Sequence, residues 1–450
     1  MAGCSDNGDS NDGSGGSSSS GNGGTSSGGS ASEAGSGNEA GAGNVVVPDD
    51  VQAAADAAFE YGYPLTEMMR VCDTHPAVNH AFPKTALATP EETTIVLPNN
   101  DTLYTTACLY LGGGWVKLTM PPRNERYMSA EIFDAYTNNV ALASARDLPA
   151  AGQSYILHQA GTSLDGIPDG LPVWEVPTPY AFALIRTLVN GPSDLDAAVD
   201  VERGISFTPS SNTAPVPFVP APSSTTAQDF FLKLMGRLAQ NPPPKSESDL
   251  VASFDKAGVR PSLTPDLAQV SDVQLAAWET AYANGFNKLQ TAAPKVNSQR
   301  GQWSFPNPKL AMPGNDYALR AVIARYGIFP LPPTESIYPR TQGDGSVPHV
   351  LHLPAEWAPI EQGGFWSLTM YSNGYLVDNP INRYSIGDRT PGVVREADGT
   401  LKLYLQCTDP GGELSANWLP TPCGPFSMTM RLYLPTAVAQ DATFTLPELE

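Results

Sequence analysis

Short apolar or alternating runs, separated by glycine, proline, asparagine and aspartate, constrain the fold of this chain more than any other feature. They fill residues 93–208 and return at residues 345–446. Many short strands with such punctuation are typical of a β-sandwich or jelly-roll barrel rather than a parallel sheet. Between them, helical spacing dominates; in residues 228–240, for example, Phe231 and Leu234 share one face. We predict a mainly β, α+β fold with two sandwich- or jelly-roll-like modules joined by a helical layer.

The same patterns divide the chain into four segments. Residues 1–44 form a Ser/Gly-rich tether, predicted to be disordered because residues 5–43 contain no lysine, arginine or aromatic residue. Residues 45–208 form an N-terminal module of one helix plus a β-sandwich. Residues 209–344 are a connector and the helical layer. Residues 345–450 form a C-terminal β-sandwich module.

The formal net charge of −21 excludes some classes of partner. Nucleic acid requires basic patches, and an anionic membrane surface attracts basic rather than acidic proteins. No run of about eighteen apolar residues is present, so no segment is predicted to span a membrane. We therefore predict no nucleic-acid partner and membrane contact through a lipid anchor alone.

The predicted anchor is Cys4. The tripeptide ending at Cys4, Ala-Gly-Cys, resembles the end of a bacterial lipoprotein signal, although the charged and apolar signal regions do not precede it. The alternative is an incidental cysteine in a flexible tail. A lipidated Cys4 predicts a protein of the cell envelope, either periplasmic or on the surface.

The chain has five cysteines and no Cys-x-x-Cys motif, so zinc and redox motifs are unsupported. Cys407 and Cys423 lie in the C-terminal module and are candidates for a disulfide. The alternative is two buried thiols. A Cys72–Cys108 pair in the N-terminal module is a weaker candidate.

Residues 365–389 combine a strand pattern with a polar loop. Aromatic, apolar and hydroxyl residues alternate over 365–371, and the sequence Ser-Asn-Gly at 372–374 predicts a tight turn. The loop that follows contains Asn382 and Arg383. A polar loop at the end of a strand is a usual place for binding chemistry.

Four segments carry a resemblance to a known family: 96–104, 126–138, 365–389 and 417–422. Their order and spacing resemble the pair formed by domain of unknown function 1254 and domain of unknown function 1214, from about Ala54 to the C-terminus. The resemblance implies an architecture of two modules more than a chemistry.

The residues Asn100, Asp101 and Tyr104 are the most reactive-looking part of the N-terminal module. Asp101, flanked by amides, could hold a substrate hydroxyl, a water molecule or a metal ion. It could equally cap a turn. Arg126 and Arg383 could each hold a carboxylate or phosphate through a planar guanidinium. The alternative for each arginine is a structural ion pair with an acid such as Asp134 or Asp378.

We predict that Asp101 and Arg126 are catalytic and that five residues bind substrate in a cleft shared by both modules: Asn100, Tyr104, Asn382, Arg383 and Trp418. For Trp418, aromatic core packing is the alternative. The histidines do not predict a metal site, because His349 and His352 point to opposite faces of a strand. No Gly-x-Ser-x-Gly motif and no phosphate-binding loop occurs, and the cofactor stays unknown.

Three functions compete. The first is an extracytoplasmic hydrolase of a small polar or phosphorylated substrate, with Asp101 as base or metal ligand. The second is a non-catalytic envelope protein that binds a small molecule or carbohydrate in the same cleft. The third is a structural role in the envelope. Convergence of Asp101, Arg126 and Arg383 would favour the first two, and separate ion pairs would favour the third.

Overall fold

The structure, a computed structural model, describes residues 45–93, 96–211 and 213–450. The predicted lipidation site Cys4 and the predicted tether of residues 1–44 lie outside these residues. None of the helices in the described part of the chain is both long enough and apolar enough to cross a membrane.

Seven α-helices occur in the described residues. Their bounds are α1 (Asp49–Asp73), α2 (Leu195–Arg203), α3 (Thr226–Gln240), α4 (Ser248–Ser253), α5 (Asp272–Ala292), α6 (Tyr317–Tyr326) and α7 (Ala437–Gln440). Helix α5 begins with a capping box, in which the Ser271 side chain accepts from the backbone N–H of Gln274 and the Gln274 side chain accepts in return. This exchange satisfies backbone donors that the first helical turn leaves free.

The N-terminal module contains nine strands in two antiparallel-rich sheets. In chain order they are β1 (Phe82–Pro83), β2 (Thr102–Tyr110), β3 (Val116–Met120), β4 (Met128–Asp134), β5 (Asn139–Ser144), β6 (Gln153–Gln159), β7 (Val173–Val176), β8 (Tyr180–Leu188) and β9 (Ser206–Pro209). Sheet I has the order β1-β2-β8-β4-β5, and sheet II has the order β7-β6-β3-β9. The two sheets enclose an apolar core, so this module is a β-sandwich.

Strand β8 is buried at all nine positions because sheet I is covered on both faces. Ala183 and Ile185 point into the sandwich core. Phe182 and Leu184 point the other way and pack with helices α1, α3, α5 and α6. This is the period-two alternation of a strand. The helical layer therefore packs on the outer face of sheet I.

The C-terminal sandwich is built from the remaining strands. They are β10 (Ser298–Arg300), β11 (Trp303–Phe305), β12 (Ser336–Ile337), β13 (Arg340–Asp344), β14 (His349–Leu353), β15 (Ile360–Ser372), β16 (Tyr375–Leu376), β17 (Ser385–Gly387), β18 (Leu401–Gln406), β19 (Trp418–Pro420) and β20 (Pro425–Pro435). Sheet III has the order β10-β11-β13-β20-β15-β16, with β12 beside β20 and β17 beside β15. Sheet IV has the order β14-β18-β19.

Sheets III and IV enclose a second apolar core, which confirms the predicted α+β fold with two sandwich modules. Strands β10 to β13 precede residue 345, where the sequence-based division begins the C-terminal module, yet they pair within sheet III. Their segments are short or polar, so apolar periodicity does not reveal them.

The outer face of sheet III meets the N-terminal module. Ser367, Thr369 and Tyr371 alternate with core residues along β15, as the period-two pattern predicts. The Tyr371 hydroxyl donates to the carbonyl of Pro98 at 2.8 Å. The Asn99 side-chain amide donates to the Tyr433 hydroxyl at 2.8 Å. The loop that precedes β2 therefore lies against the polar face of the second sandwich.

Candidate ligand-binding cavity

Asp101 lies at the junction of the modules, just before β2, and is 4% exposed. Its Oδ2 accepts a hydrogen bond from Ser367 Oγ at 2.6 Å, and its Oδ1 accepts from Arg389 Nη2 at 3.1 Å. Both partners belong to the C-terminal module. Each carboxylate oxygen of Asp101 thus has a protein partner, and the catalytic role stays a prediction.

Arg126 forms its ion pair with an acid other than Asp101. Its two terminal nitrogens donate to the two carboxylate oxygens of Asp194, at 2.6 Å and 3.1 Å, and Nη1 also donates to the carbonyl of Leu188 at 2.8 Å. Burial acts to raise the pKa of Asp194, but the hydrogen bonds from Arg126 bring it below its usual value. The partner is Asp194 rather than the Asp134 considered from the sequence.

Arg383 and Trp418 support a loop of the C-terminal module. Arg383 Nη1 donates to the carbonyls of Ser415, Ala416 and Trp418, at 3.3, 3.1 and 2.7 Å. Trp418 is 3% exposed, and its indole nitrogen donates to the carbonyl of Gln406 at 2.8 Å. The contacts are those of a structural arginine and a packed tryptophan.

The same loop is closed by a disulfide between Cys407 and Cys423, with a Cα–Cα distance of 5.1 Å. Cys72 and Cys108 form a second disulfide between α1 and β2.

Asn382 and Asn100, the two asparagines of the predicted site, each have a nearby hydrogen-bond partner. Asn382 is exposed and accepts a hydrogen bond from the Tyr384 hydroxyl at 3.1 Å. Asn100 donates to the carbonyl of Ala88 at 2.6 Å. Asp101, Arg126 and Arg383 thus have three separate sets of partners.

A cavity of about 1020 Å³ lies between the two sandwiches and the helical layer. Of the predicted site residues, Tyr104 lines this cavity. One side is apolar and comes chiefly from α6 and the segment after it: Val322, Ile323, Ile328 and Phe329. A large concave space with an apolar wall and a few polar groups is the usual form of a small-molecule site.

The polar side of the cavity comes from the facing surfaces of sheets I and III. Tyr104 and Arg186 are directly opposite each other on β2 and β8. Arg340 is opposite Thr429 on β13 and β20, and Arg431 follows on the same face of β20. Because strand side chains alternate, these positions project toward the cavity while their neighbours fill the cores. Three arginines are thereby gathered around one space.

Arg186 is the arginine with an acidic partner. It forms a buried ion pair with Glu131, and its Nη2 donates to the carbonyl of Phe329 at 3.2 Å. Burial raises the pKa of Glu131 to about 7, although Arg186 and Asn139 act to lower it. The charge of Arg186 is therefore balanced within the protein at neutral pH and above.

Arg431 is held by neutral groups instead. It is 5% exposed and donates to the hydroxyls of Thr369 and Tyr371, both at 2.7 Å, and to the carbonyl of Leu97 at 3.2 Å. In the described part of the chain, no carboxylate oxygen forms an ion pair with it. Burial acts to lower the pKa of Arg431, whereas its neighbours, including the charge of Asp101, raise it.

The Arg340 side chain makes no hydrogen bond or ion pair to any described residue and is accessible to solvent. Its accessible surface is the cavity surface, with protein on its other sides. Burial lowers the pKa of Arg340. Tyr371 acts to raise this pKa, and the charge of Arg431 lowers it further. Arginine nevertheless remains charged at physiological pH. Arg340 and Arg431 thus place two positive charges on the cavity wall, which also carries Glu91 and a Lys84–Glu92 ion pair.

Three buried polar atoms on the cavity wall also have no hydrogen-bond partner within the described residues. They are Thr102 Oγ1, Thr429 Oγ1 and Arg186 Nε. Buried polar groups in native proteins nearly always have a partner, in the protein or from a bound molecule. Each of the three atoms is covered by protein, so it lies behind the cavity surface and offers no contact to a molecule inside it.

The sequence reasoning missed Arg186, Arg340 and Arg431. A signal for two of them exists, because Arg186 and Arg431 interrupt otherwise apolar strand runs. A charge in such a run is almost always paired or functional. For metal binding, residues 45–93, 96–211 and 213–450 hold no cluster of three or more histidine, cysteine or acidic side chains suited to an ion.

Two family models match the chain, one in each sandwich module. Residues 78–209 match the model described as "Protein of unknown function (DUF1254)", and residues 339–437 match "Protein of unknown function (DUF1214)". No curated protein matches the chain in sequence.

Two solved structures are similar over most of the chain. The crystal structure of the VPA0106 protein from Vibrio parahaemolyticus has a TM-score of 0.70 at 21% identity, covering 89% of this chain and 99% of that one. It shows a shared fold. An uncharacterized protein from Burkholderia cenocepacia has a TM-score of 0.43 at 13% identity, covering 89% and 94%. With both family models matched in order, the chain belongs to the family that pairs DUF1254 with DUF1214.

Proposed function

We propose that the protein binds a small organic anion with an apolar portion in the cavity between its sandwiches, and that it does so without catalysing a reaction. The observation that carries this proposal is the pair Arg340 and Arg431. Both line the cavity, and neither forms an ion pair with an acid among the described residues.

A carboxylate or phosphate is the group that best complements these arginines. The planar guanidinium donates two parallel hydrogen bonds to either anion. Arg431 is already oriented by Thr369 and Tyr371, so little side-chain entropy is lost when an anion binds. A neutral sugar would leave the charge of Arg340 without a counter-ion, so an anion is favoured over an uncharged carbohydrate.

The apolar wall requires a second part of the ligand. Val322, Ile323 and Phe329 contribute apolar side chains to the cavity lining. Covering apolar surface contributes roughly 25 cal/mol per Å². A ligand that has only an anionic group would leave this wall exposed to water, whereas an alkyl or aryl chain would cover it.

The contacts of Asp101 favour binding over hydrolysis. A general base needs a carboxylate oxygen within reach of a substrate or water proton. Here Ser367 and Arg389 each use one oxygen of Asp101. The hydrolase hypothesis made Asp101 the base, and its support is correspondingly weaker.

We also propose that the protein is lipid-anchored through Cys4 in the cell envelope. The disulfides Cys72–Cys108 and Cys407–Cys423 support an oxidising compartment, where such bonds persist. Mass spectrometry of the mature protein from its native host tests this proposal. A diacylglyceryl group on Cys4 is expected, and an unmodified residue upstream of Cys4 would contradict it.

Calorimetric titration tests the binding function with three probes of equal chain length: decanoate, decyl phosphate and decanol. The two anions are expected to bind, and decanol is expected to bind at least about tenfold more weakly, because it cannot balance the arginines. Arg340→Gln should reduce the affinity for both anions. Arg203→Gln, which removes an arginine from an exposed ion pair with Asp200, is the matched control.

Two results would overturn the proposal. One is equal affinity for decanol and decanoate in the wild type, or unchanged anion affinity in Arg340→Gln. The other is that the protein hydrolyses p-nitrophenyl acetate or p-nitrophenyl phosphate faster than the protein-free rate, and that this activity is lost in a folded Asp101→Asn variant. The second result would establish the hydrolase instead.

A further inference from the structure

A second cavity, of about 700 Å³, opens beside the first and shares three residues with it: Leu97, Arg340 and Thr429. We infer that the ligand is an amphiphilic phosphodiester, with its chain in the first cavity, its phosphate at Arg340 and an uncharged, hydroxyl-rich headgroup in the second. This inference rests on the proposed function and specifies the ligand class of the same site.

The second cavity, which we call the polar groove, is lined by neutral hydrogen-bonding side chains. In addition to the shared Leu97, Arg340 and Thr429, the lining contains the neutral polar residues Gln299, Gln302, Ser304, Gln342 and Ser427. Arg340 is the charged residue among the described residues of this lining. A cationic headgroup would therefore meet Arg340 without a compensating acid, and an anionic headgroup would find no second cation.

Sheet III arranges these side chains in rows across neighbouring strands. Gln299 pairs with Ser304, Ser304 with Arg340, and Arg340 with Thr429. The next row along the same face pairs Gln342 with Ser427. Directly opposed side chains lie about 5 Å apart, so the two rows form one continuous polar surface.

Several of these groups are free to bind. The side chains of Ser304, Gln342 and Ser427 make no hydrogen bond to any described residue. Thr429 is 2% exposed and its Oγ1 is covered by protein, so this hydroxyl is not offered to the groove. Gln302, by contrast, is already used, because its side chain bonds the backbone of Leu449.

The position of Arg340 between the two cavities selects the type of anion. A carboxylate ends a chain, so a fatty acid bound at Arg340 would leave the polar groove empty. A phosphodiester carries one negative charge and is esterified on both sides. It can therefore extend an apolar chain into the first cavity and a hydroxylated group into the groove while Arg340 and Arg431 hold its free oxygens.

Three single-chain probes with the same myristoyl group test the inference, each below its micelle concentration: lysophosphatidylglycerol, lysophosphatidylcholine and myristate. The glycerol and choline compounds share chain and phosphodiester and differ in headgroup. We expect the glycerol compound to bind about tenfold more tightly than the choline compound, as one to two additional hydrogen bonds would give. Myristate should bind as the proposed function requires.

The double variant Gln342→Ala/Ser427→Ala removes two free groups of the groove and leaves the first cavity intact. It should abolish the preference for the glycerol headgroup and leave myristate affinity unchanged. If myristate binds but both lysophospholipids bind equally, or if the preference survives in the variant, the inference is wrong and the proposed function stands. If none of the three probes binds, both are wrong.

Discussion

Arg389 of the C-terminal sandwich donates a hydrogen bond from Nη2 to Oδ1 of Asp101 in the N-terminal sandwich, at 3.1 Å. The same guanidinium donates to the carbonyl of Val189 at 3.1 Å and lies over the Phe365 ring at 4.2 Å. Asn99, two residues before Asp101, lines the cavity of about 1020 Å³. The ion pair therefore joins the two modules at the edge of the space that they enclose.

Asp101→Asn should destabilise the protein without abolishing ligand binding. The side chains of Asp101 and Arg389 are 4% and 19% exposed, so the variant removes the more buried of the two acids that pair with Arg389 and leaves Asp388, at 3.4 Å. We expect a loss of about 2–4 kcal/mol in the free energy of unfolding, measured by urea denaturation.

Asp200→Asn is the matched control, because its ion pair with Arg203 is exposed, and its loss should cost below about 0.5 kcal/mol. Unchanged stability of Asp101→Asn together with lost binding or turnover would instead establish Asp101 as the functional residue that the sequence predicts.

The sequence was sufficient for the sandwiches because their information is local. Alternation along 365–371 predicts which side chains leave the core, and the structure has Ser367 and Tyr371 on that outer face. The signals for strand, turn and helix each lie within a few residues of one another. Local patterning therefore predicted the fold class and the alternation along β15.

The site could not be predicted in the same way because its parts are distant in sequence. Arg186 and Arg431 belong to different sandwiches, and both line the same cavity. The strand pairings that place them there, within sheet I and within sheet III, are not specified by any local pattern. Arg126 illustrates the same limit, since its partner Asp194 lies 68 positions away. Residue type predicted that arginines would need acids or ligands, whereas the topology decided which arginine received which.

The two disulfides should differ in their response to reductant. Cys72 and Cys108 are 5% and 1% exposed, whereas Cys423 is exposed on the surface. A short treatment with dithiothreitol, followed by alkylation and peptide mass spectrometry, should label Cys407 and Cys423 first. Equal labelling of all four cysteines under native conditions would contradict this expectation.

Removing the accessible disulfide should lower stability. The bridge spans 16 residues, for which loop-closure entropy gives about 3 kcal/mol. The Cys407→Ser/Cys423→Ser variant should show this loss in urea denaturation, and the addition of reductant should lower the stability of the wild type toward that of the variant. A variant as stable as the wild type would show that the bridge adds nothing.

Gly285 is required for the contact between α1 and α5. A Cβ atom at this position would lie 2.2 Å from the Phe59 ring, which is itself surrounded by the rings of Phe230 and Tyr282. Gly285→Ala should therefore destabilise the protein by roughly 1–3 kcal/mol, although alanine favours the helix. Asn284→Ala, at an exposed position of the same helix, is the control and should not lower the melting temperature. A stabilised Gly285→Ala variant would show that the ring can move aside.

Glu202 should make stability depend on pH. Its side chain is fully buried on α2, where it accepts a hydrogen bond from Thr105, and burial raises its pKa to about 7. The unfolded chain has the ordinary value near 4.5, so between these values the native state holds a proton that the unfolded state has lost. The contribution of Glu202 to stability is therefore greatest below about pH 4.5, falls as the pH rises, and levels off above about pH 7.

Glu202→Gln keeps the acceptor and removes the charge, so it should be more stable than the wild type at pH 8 by roughly 1–3 kcal/mol and nearly equal to it at pH 5. Urea denaturation at both pH values checks this, with the exposed Glu413→Gln as the control. The same difference at pH 5 and pH 8 would show that Glu202 does not titrate in this range.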